Sequence, residues 1–513
     1  MKIRNIIVGL ICCLPLHAFA ATYYIDFSSG SDSNNGTAKA TPWKRAPGMN
    51  GFAATYAHAP GDRFILKGGV TWDSTIFTWT ITNSGTAGGA DYYGVDQTWF
   101  SGGGWSQPTL DGGGTVAAAG SSSGNIYVNG AAYVTIDNLK VQNLGQAYIY
   151  NGGRAFYLNN NHDITVENCT IMPNVRIGIL VNDSVSNTTS SNFTITSNDI
   201  SSVSWGIGEA ADANGAVMSN VAIANNAIHD FTTQMCGGAH GDGIILYRLG
   251  SATGNYISDA HIYGNRFYGD FHTNNTVDSC VNNDTPPSGA CSSSNPCGMN
   301  AFVFLSDPAN GTYYIYNNTM TATYALGWNG SVAGQMTALM NFLGLTPVST
   351  TNVYIYNNSS QVTTDVGHGI QIANITSTTF ANNILTGGQF SILSNDLTSC
   401  SGFRADYNDY YSFGNTLAAF PSGCGGFQTW TQYHITNGKE PHSLNVNPLF
   451  VSSSNLNLQS SSPAINAASN LYSMFTTDAA GYSRPVSGAW NMGAYQSQMG
   501  PNPPASLKVT GIH

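Results

Sequence analysis

One short phrase recurs along this chain, and it limits the possible fold more than any other feature of the sequence. Each copy has alternating apolar residues, then Asn-Asn or a close variant, then another apolar residue. Four examples are YVTIDNLKV from Tyr133, VAIANNAIH from Val221, YYIYNNTMT from Tyr313 and TTFANNILT from Thr378. Repetition every 20 to 50 residues or so is typical of a solenoid, in which neighbouring repeats complete one another's core. The alternation has a period of two, so the repeated element is a strand.

A second phrase, a variable residue followed by Gly-Ile or, in one copy, by Ala-Phe, lies between the copies. It occurs at 177–179, 205–207, 242–244, 300–302 and 368–370. Two strands and an Asn-rich corner per coil predict a parallel β-helix. Stacked neutral asparagines suit such a corner, because identical side chains on adjacent coils can hydrogen-bond without like-charge repulsion.

The composition agrees with a packed core rather than with disorder. Charged residues are only 8% of the chain, but 42% of the residues are hydrophobic and their pattern is strongly periodic. Such a chain can bury enough apolar surface to fold. Because a solenoid grows in one dimension, we expect one long domain.

The first twenty residues are typical of a secretory signal peptide, with basic Lys2 and Arg4, an apolar stretch at 6–16 and Ala-Phe-Ala at 18–20. No other stretch is apolar for long enough to span a bilayer. We expect a secreted or extracellular protein, with the periplasm or cell surface as alternatives. Without Lys2 and Arg4 the chain has 14 basic and 27 acidic residues, a net charge of about −13. This charge argues against nucleic-acid or anionic-membrane partners, and we expect a monomer.

The predicted organisation has five parts: the signal peptide at 1–20, an N-terminal cap and first coils at 21–110, the β-helix at 111–440, a closing section at 441–500 and a tail at 501–513. Loop insertions are expected at 229–241 and 268–299. Pro42-Trp43-Lys44 could begin a short capping helix, since a solenoid needs a cap to shield its open end.

Seven cysteines follow the signal peptide, and this odd number leaves at least one thiol unpaired. Cys169 lies inside a repeat copy, so we expect it to be the buried free thiol. Cys236 could pair with Cys280, Cys291 or Cys297, and the sequence leaves that choice open. No cysteine or histidine spacing suits a zinc site.

Three stretches carry a resemblance to a known family: the opening YYIDFSSGSDSNNGT with its PWK, the NN-x-I coils, and the close NPLF, SPAIN and GAWNMGAYQ. On these, the chain resembles the secreted right-handed parallel β-helix proteins of the pectate-lyase-like superfamily over nearly its whole mature length. The resemblance implies an all-β fold: a single-stranded right-handed parallel β-helix with an N-terminal cap and an atypical C-terminal closing section. That superfamily includes lyases, hydrolases, epimerases and non-catalytic surface proteins, so no single activity is implied.

Placing the second phrases in register gives one equivalent position per coil: Arg154, Ile177, Trp205, Asp242, Asn300, His368 and Phe390. Coils lie roughly 4.8 Å apart, so these residues should form a column. The long spacings on either side of Asp242 place both insertions at one corner, where loops over a rigid scaffold often carry function. Asp242 shares strand parity with Ile244, which should point inward, so Asp242 would reach a cleft only if the strand begins after it.

Charged and aromatic residues concentrate around this corner. We expect Asp242 to be the leading acid or base, His240 its proton-transfer partner, Asp230 or Glu209 the second carboxylate, and Arg248 a candidate base. The candidate substrate-binding residues are Trp205, Tyr247, Arg176, Arg266, Asn300 and His272. Each has a structural alternative: Asp242 and His240 could simply form a glycine-rich turn, and Trp205 and Tyr247 could be core residues.

These residues favour a carbohydrate-active enzyme that cleaves an extracellular polysaccharide in a groove on the β-helix side. The chain has no lysine between Lys140 and Lys439. This slightly favours a glycoside hydrolase, although Arg248 and Arg266 leave a polysaccharide lyase open. No cofactor is required; Ca²⁺ is possible, but its ligands are unknown. The alternatives are a non-catalytic glycan-binding or adhesin-like surface protein, and a purely structural scaffold.

Overall fold

The computed structural model describes residues 19–496 apart from 115–125, 146–152, 232–240, 249–251, 270–298, 309, 323–325, 330–333, 345–350, 363–365, 389, 395 and 414–415. Nearly all of the expected signal peptide and the whole of the tail therefore lie outside the described residues, as do most of the two loop insertions. Among the helices that the structure does describe, none is both long enough and apolar enough to cross a membrane.

Three long sheets contain the strands. Sheet A consists of Thr22–Ile25, Arg63–Gly68, Asp91–Phe100, Ala132–Asp137, His162–Glu167, Thr189–Thr196, Val217–Ala224, Tyr256–Ile257, Asp259–Tyr263, Thr312–Tyr316, Asn352–Tyr356, Ser377–Ala381 and Phe403–Asp406. Sheet B consists of Thr71–Trp72, Thr109–Asp111, Lys140–Gln142, Thr170–Ile171, Asp199–Ser201, Ala227–His229, Arg266–Tyr268, Thr319–Ala322, Ser359–Val362, Ile384–Thr386 and Asp409–Tyr411.

Sheet C consists of Trp79–Ile81, Ile126–Asn129, Arg154–Asn159, Ile177–Asp183, Trp205–Ala211, Gly241–Arg248, Leu326–Asn329, Met299–Ser306, Gly334–Leu343, Val366–Ala373, Phe390–Ser394, Ala418–Ala419 and Phe427–Gln428. The short helical segments are Ser74–Ile76, Leu397–Gly402, Ser422–Cys424 and Thr431–Thr436.

The chain visits sheets A, B and C in turn, and the strands pair in parallel with their equivalents one coil away. Two sheet C strands, Leu326–Asn329 and Phe427–Gln428, instead pair antiparallel with a neighbour. This is a right-handed parallel β-helix, as predicted, and right-handed crossovers are the rule for parallel strands. Each coil has three strands rather than the two expected. The residues after the paired asparagines, counted in the sequence as the end of one strand, form the separate short strands of sheet B.

A ladder of buried asparagines forms the corner between sheets A and B: Asn198, Asn226, Asn265, Asn318, Asn358, Asn383 and Asn408. The Asn226 side chain donates to Asn265 Oδ1 (3.0 Å) and to the carbonyl of Ile195 (2.9 Å). Asn265 Oδ1 also accepts the backbone N–H of Asn226 (3.0 Å). The residue before each ladder position turns the chain in the left-handed region, as Asn225 does at φ 56°. The expected stacking of neutral asparagines is confirmed.

Cys169 occupies the first position of this ladder, where its backbone N–H donates to Asn198 Oδ1 (3.0 Å). Its thiol is free and fully buried, as predicted, and burial raises its pKa to about 12. A disulfide joins Cys400 to Cys424, linking the short helix 397–402 to the turn 422–424. The expected pairings of Cys236 lie outside the described residues.

The register predicted for the second phrase is confirmed with one exception. Arg154 pairs with Ile177, Ile177 with Trp205, and Trp205 with Asp242. The partner of Asp242 is then Ala301 rather than Asn300, because a register shift at Gly241 and Asp242 moves the next strand by one residue.

The N-terminal cap is built from turns and aromatic packing. Pro42-Trp43-Lys44 begins no helix; instead Trp43 forms a parallel bridge with Ile25 and is buried. Its ring stacks on Tyr23 at 4.5 Å. Tyr23 in turn stacks on Phe64 of the first full coil at 5.7 Å. Large rings thus cover the open end of the core, a role that the expected helix would otherwise have filled.

The C-terminal section after residue 441 packs on the flank of the solenoid. Trp490, Phe450 and Phe475 form an apolar cluster against Tyr316 and Tyr354, on the outside of sheet A. This section also follows sheet B, and it determines which parts of that sheet face solvent.

Candidate functional site

The strands of sheet C depart from strict alternation, and this decides which side chains face outward. In the strand Ile177–Asp183, a Cβ added to Gly178 would lie 3.1 Å from the interior Ile200, and Ile179 also belongs to the main core. Ile177 and Leu180 instead pack with Tyr157 in a separate outer cluster. Two consecutive residues therefore face inward in each such strand. As a consequence, Trp205 and Asp242, which pair with Ile177 along the stack, belong to the outer face.

The outer face of sheet C carries a carboxyl group with an unusual environment. Asp212 follows the strand Trp205–Ala211, and burial raises its pKa to about 6, although the charge of Arg154 opposes that rise. With the Asn182 nitrogen oriented towards Asp212, this amide donates to Asp212 Oδ2 (2.9 Å) and accepts from the Tyr157 hydroxyl (3.0 Å). Asp212 Oδ1 is buried and accepts no hydrogen bond from the described residues.

Arg154 and Tyr157 lie beside this carboxyl group. The Arg154 guanidinium lies 4.7 Å from the centre of the Tyr157 ring. Burial raises the pKa of Tyr157, and the charge of Asp212 adds to that rise while Arg154 opposes it, so the phenol stays protonated at neutral pH. The strand Arg154–Asn159 thus brings a cation and a phenol together. Asn182 lies on the next coil along the stack, and the strand that leads to Asp212 lies on the coil after that.

Trp205 and Tyr247 also belong to the outer face, Trp205 at the start of its strand and Tyr247 beside Ala210 near its end. Their rings meet edge to face at 5.8 Å, and both side chains are half-buried. A Cβ on Gly208 would lie 3.0 Å from Leu180 and 3.7 Å from the Trp205 ring, so the missing side chain makes room for that ring. Half-exposed aromatic rings of this kind can stack on the apolar faces of sugars while their polar atoms stay hydrated.

Asp242 belongs to a buried hydrogen-bond chain rather than to an open cleft. Its side chain is fully buried, and Asn300 donates to Asp242 Oδ1 at 3.1 Å. Asn341, one coil further, donates to Asn300 Oδ1 at 2.8 Å. Asp242 is therefore on the outer face of sheet C, although strict alternation would have turned it inward, and in the described part of the chain its Oδ1 accepts from Asn300.

Glu209 does not accompany Asp242. It pairs with Val181 and Leu246, both core residues, so its side chain points into the solenoid and is fully buried. Arg248 also does not contact Asp242 in the described residues; it forms an ion pair with the buried Asp307 at 2.8 Å. The sequence-based expectation that Glu209 is a second carboxylate beside Asp242 is therefore corrected, because the positions lie on opposite faces of the sheet.

Asp230 directly follows the sheet B strand Ala227–His229, and Arg266 begins the next strand of that sheet. Asp230 accompanies His229, whose two ring nitrogens contact Asp230 (2.5 Å) and Asp199 (2.7 Å). Arg266 begins a sheet B strand and lies over Tyr268 at 4.9 Å. The corner after sheet B separates these residues from the outer face of sheet C, so the structure does not bring them to Asp242.

Two further placements complete the predicted set. Arg176 directly precedes the sheet C strand that starts at Ile177, and its side chain is buried, which leaves it little surface for a substrate. His240 and His272 lie outside the described residues. Within the parts of the chain that the structure covers, no group of three or more His, Cys, Asp or Glu side chains could hold a metal ion.

The sequence analysis did not select Asp212 as a site residue. It stands two residues beyond Ala210, in a segment that reads as a solvated turn. Only the stacking of the coils shows that Asp212 belongs to a cluster. It places Asn182, Tyr157 and Arg154 beside Asp212, although they come 30 to 58 residues earlier in the chain.

Comparison with solved structures supports the architecture. The crystal structure of pectate lyase Pel9A is similar over 94% of this chain and 97% of that one, at 15% sequence identity and a TM-score of 0.53. The fold is the pectate-lyase-like parallel β-helix. Less similar are a GH136 lacto-N-biosidase from Eubacterium ramulus (14% identity, 78% and 68% coverage, TM-score 0.47) and PfbA, a surface adhesin of Streptococcus pneumoniae (14%, 72% and 82%, 0.43). No family model and no curated protein sequence matches the chain.

Proposed function

We propose that this protein is an exported enzyme that cleaves an acidic polysaccharide on the outer face of sheet C, with Asp212 as the proton-transfer group. One observation carries the proposal: a partly buried carboxyl group with a pKa of about 6 lies beside a guanidinium and a protonated phenol. A carboxylate poised near neutral pH is a suitable general base. The half-exposed rings of Trp205 and Tyr247 support sugar binding at the same face.

The described residues favour elimination over the hydrolysis that the sequence slightly favoured. Hydrolysis needs two carboxyl groups about 5 to 10 Å apart. Asp212 and Asp242 lie at opposite edges of sheet C, about seven residues apart along the strand direction, or roughly 23 Å. Asp183, one coil from Asp212, is fully buried, and its Oδ1 accepts from the Thr188 hydroxyl (2.7 Å), so it is not open to a substrate. Elimination from a uronate needs one base and a cation for the sugar carboxylate, and Asp212 and Arg154 supply these.

In this reaction Arg154 pairs with the uronate carboxylate, which acidifies the adjacent C5–H bond. Asp212 takes the C5 proton, the C4–C5 double bond forms, and the bond between C4 and the glycosidic oxygen breaks. The leaving oxygen takes the proton of the Tyr157 hydroxyl. Transfer of the proton from Asp212 to the Tyr157 phenolate, directly or through water, restores both groups. Calcium could assist such a site by binding the carboxylate, but the proposal does not require it.

Replacing Asp212 by Asn tests the proposal. We expect Asp212→Asn to lower kcat by at least about a hundredfold, the lower range for loss of a general base. Wild-type activity should rise with pH through about 6, because Asp212 must be ionised to accept the proton. The matched control is Asp163→Asn, on sheet A, where a left-handed φ of 56° tolerates Asn.

Mass spectrometry of the products from uronate and neutral polysaccharides identifies the reaction. Unsaturated fragments support elimination, and fragments that have gained water would show a hydrolase instead. If polysaccharides are bound but remain intact across the panel, the protein is a glycan-binding protein and the proposal fails. Equal activity of Asp212→Asn and Asp163→Asn would remove Asp212 from the mechanism.

A further inference from the structure

A second candidate binding surface lies on sheet B, away from the proposed active face. The outward residues Tyr268, Thr321, Gln361, Thr386 and Tyr411 form a row along successive coils. We call this row, with Arg266 at one end and the C-terminal residues 447–456 opposite, the sheet B cleft. From Tyr268 to Tyr411 the row covers four coil steps, roughly 19 Å.

Two cavities open along this cleft. One, of about 350 Å³, is lined by Arg266, Tyr268 and Thr321 together with Asn455 and Tyr495 from the C-terminal section. The other, of about 520 Å³, is lined by coil residues that include Gln361, Thr386 and Tyr411, and by residues 447–453. Both therefore share one wall, the C-terminal segment 447–456.

Arg266 gives the cleft a positive charge that the protein does not neutralise locally. Its guanidinium lies over the Tyr268 ring at 4.9 Å, and it forms neither an ion pair nor a side-chain hydrogen bond within the described residues. Stacking on a ring leaves the in-plane N–H groups of a guanidinium available, and their fork geometry matches a carboxylate. The cleft thus offers a bidentate anion site on a cavity wall.

The nearby carboxylates do not cancel this charge, because they are engaged by a histidine. His229 contacts Asp199 and Asp230 and stacks on Tyr268 at 4.5 Å. Burial alone would lower the pKa of His229, but the hydrogen bonds to the two carboxylates outweigh it and the pKa is raised. These contacts also hold the Tyr268 ring in place beneath Arg266.

The rest of the cleft is polar and uncharged. Thr321, Thr386 and Gln361 face it, and the side-chain oxygen of Gln361 is buried without a hydrogen-bond partner among the described residues. Hydroxyl and amide groups of this kind match sugar hydroxyls, and an unsatisfied buried acceptor is stabilised by a ligand donor.

We propose that the sheet B cleft is a second, non-catalytic binding site for an acidic oligosaccharide, in which Arg266 binds a uronate carboxylate and Gln361 and the threonines bind ring hydroxyls. The proposal shares its ligand class with the proposed function but not its residues. A polymer held there would remain attached to the enzyme between cleavage events on sheet C.

Calorimetric titration with a hexauronate tests the site, in full-length protein that carries Asp212→Asn so that the ligand is not consumed. The matched probe is the same hexasaccharide with its carboxylates esterified. The variant is Arg266→Ala, with Arg266→Lys to retain the charge without the fork. The control is Arg404→Ala, an exposed arginine of sheet A whose side chain, among the described residues, donates to the carbonyls of Ser401 and Phe403 alone.

We expect two binding events for the hexauronate, one of which Arg266→Ala weakens at least tenfold, with Arg266→Lys intermediate. Esterification should weaken both events in the parent, because Arg154 and Arg266 each bind a carboxylate, whereas in Arg266→Ala it should have little effect on the event at the sheet B cleft. Unchanged melting temperatures show that the variants fold. The inference is overturned if Arg266→Ala behaves like Arg404→Ala, or if the acidic and esterified probes bind the parent equally. Loss of the other event in Arg154→Ala concerns only the sheet C proposal, so the two can fail separately.

Discussion

The ionisation state of Glu209 depends on where its coil places the side chain. Both of its oxygens are buried in the solenoid core and accept no hydrogen bond from the described residues. Burial raises its pKa to about 8, and the charge of Asp259 adds to the rise. A carboxyl group in this position is held in its protonated form at neutral pH, because ionising it there would bury an uncompensated charge.

This burial makes stability depend on pH in a defined direction. The folded state keeps the Glu209 proton up to about pH 8, whereas the unfolded chain releases it near the ordinary value of 4.5. The contribution of Glu209 protonation to the free energy of unfolding is therefore complete below about pH 4.5 and declines as the pH rises to about 8. We expect Glu209→Gln to remove this decline, and to unfold less readily than wild type at pH 9 by on the order of 4 kcal/mol.

Denaturant unfolding at pH 5, 7 and 9 measures this difference. The control is Glu167→Gln, on the outer side of sheet A and only half-buried, where a smaller effect of the same sign is expected. A pH dependence that is the same in Glu209→Gln as in wild type would show that Glu209 is ionised in the folded protein.

Among the elements, the asparagine ladder carries the corner between sheets A and B. The side chain of each rung bonds the backbone of the preceding coil and the side chain of the next rung, as Asn226 does, so donors and acceptors are paired along the stack. The ladder ends on Asn408, which donates to the buried Glu440 at 3.2 Å. Because each rung bonds both of its neighbours, we expect substitution of a middle rung to destabilise the fold more than substitution of an exposed asparagine.

We expect Asn226→Ala to destabilise the protein by about 3 kcal/mol, because it removes the side chain that bonds the buried backbone N–H of Asn198 and the carbonyl of Ile195. The control lies in the same coil: Asn220 is exposed and, within the described part of the chain, its side chain donates only to Asn192, and Asn220→Gly keeps its left-handed φ of 52° accessible. Its cost should be within about 1 kcal/mol. Chemical unfolding of both variants measures the difference, and equal costs would contradict a special role for the ladder.

At the scale of the whole molecule, the C-terminal section is fastened to the solenoid by a buried arginine. The Arg484 Nη2 donates to Asn317 Oδ1 (2.8 Å) and to the carbonyls of Gly493 and Ala494 (3.1 Å each). Burial lowers its pKa to about 10, so it remains charged at neutral pH. Asn317 precedes a ladder position, and the contact therefore connects the section to the most regular part of the fold.

We expect Arg484→Ala to cost about 3 kcal/mol and to release the C-terminal section before the coils unfold. Limited proteolysis should then cut first after residue 441, and hexauronate binding at the sheet B cleft should weaken because its wall is lost. Arg404→Ala is the control. Simultaneous digestion of coils and C-terminal section in Arg484→Ala would show that the two unfold as one cooperative unit.

The sequence by itself determined the solenoid, its parallel strands, the Asn corner, the buried free Cys169 and most of the sheet C register. These features follow from local repetition, since each copy of the repeat contains both the alternation of a strand and the asparagines of the corner. The same local information misplaced other features: the third strand per coil, the capping helix at Pro42, and the one-residue shift at Asn300.

Only the tertiary structure decided which side chains meet. Strict alternation paired Asp242 with the inward Ile244, but two consecutive inward residues at Gly243 and Ile244 return Asp242 to the outer face. Glu209 points inward and Arg266 lies on another sheet, so neither accompanies Asp242. The Asp212 cluster comes from three coils, and its pKa depends on burial that no single repeat contains. The periodicity of the sequence determines the β-helix, whereas contacts between side chains on different coils determine the chemistry of the site.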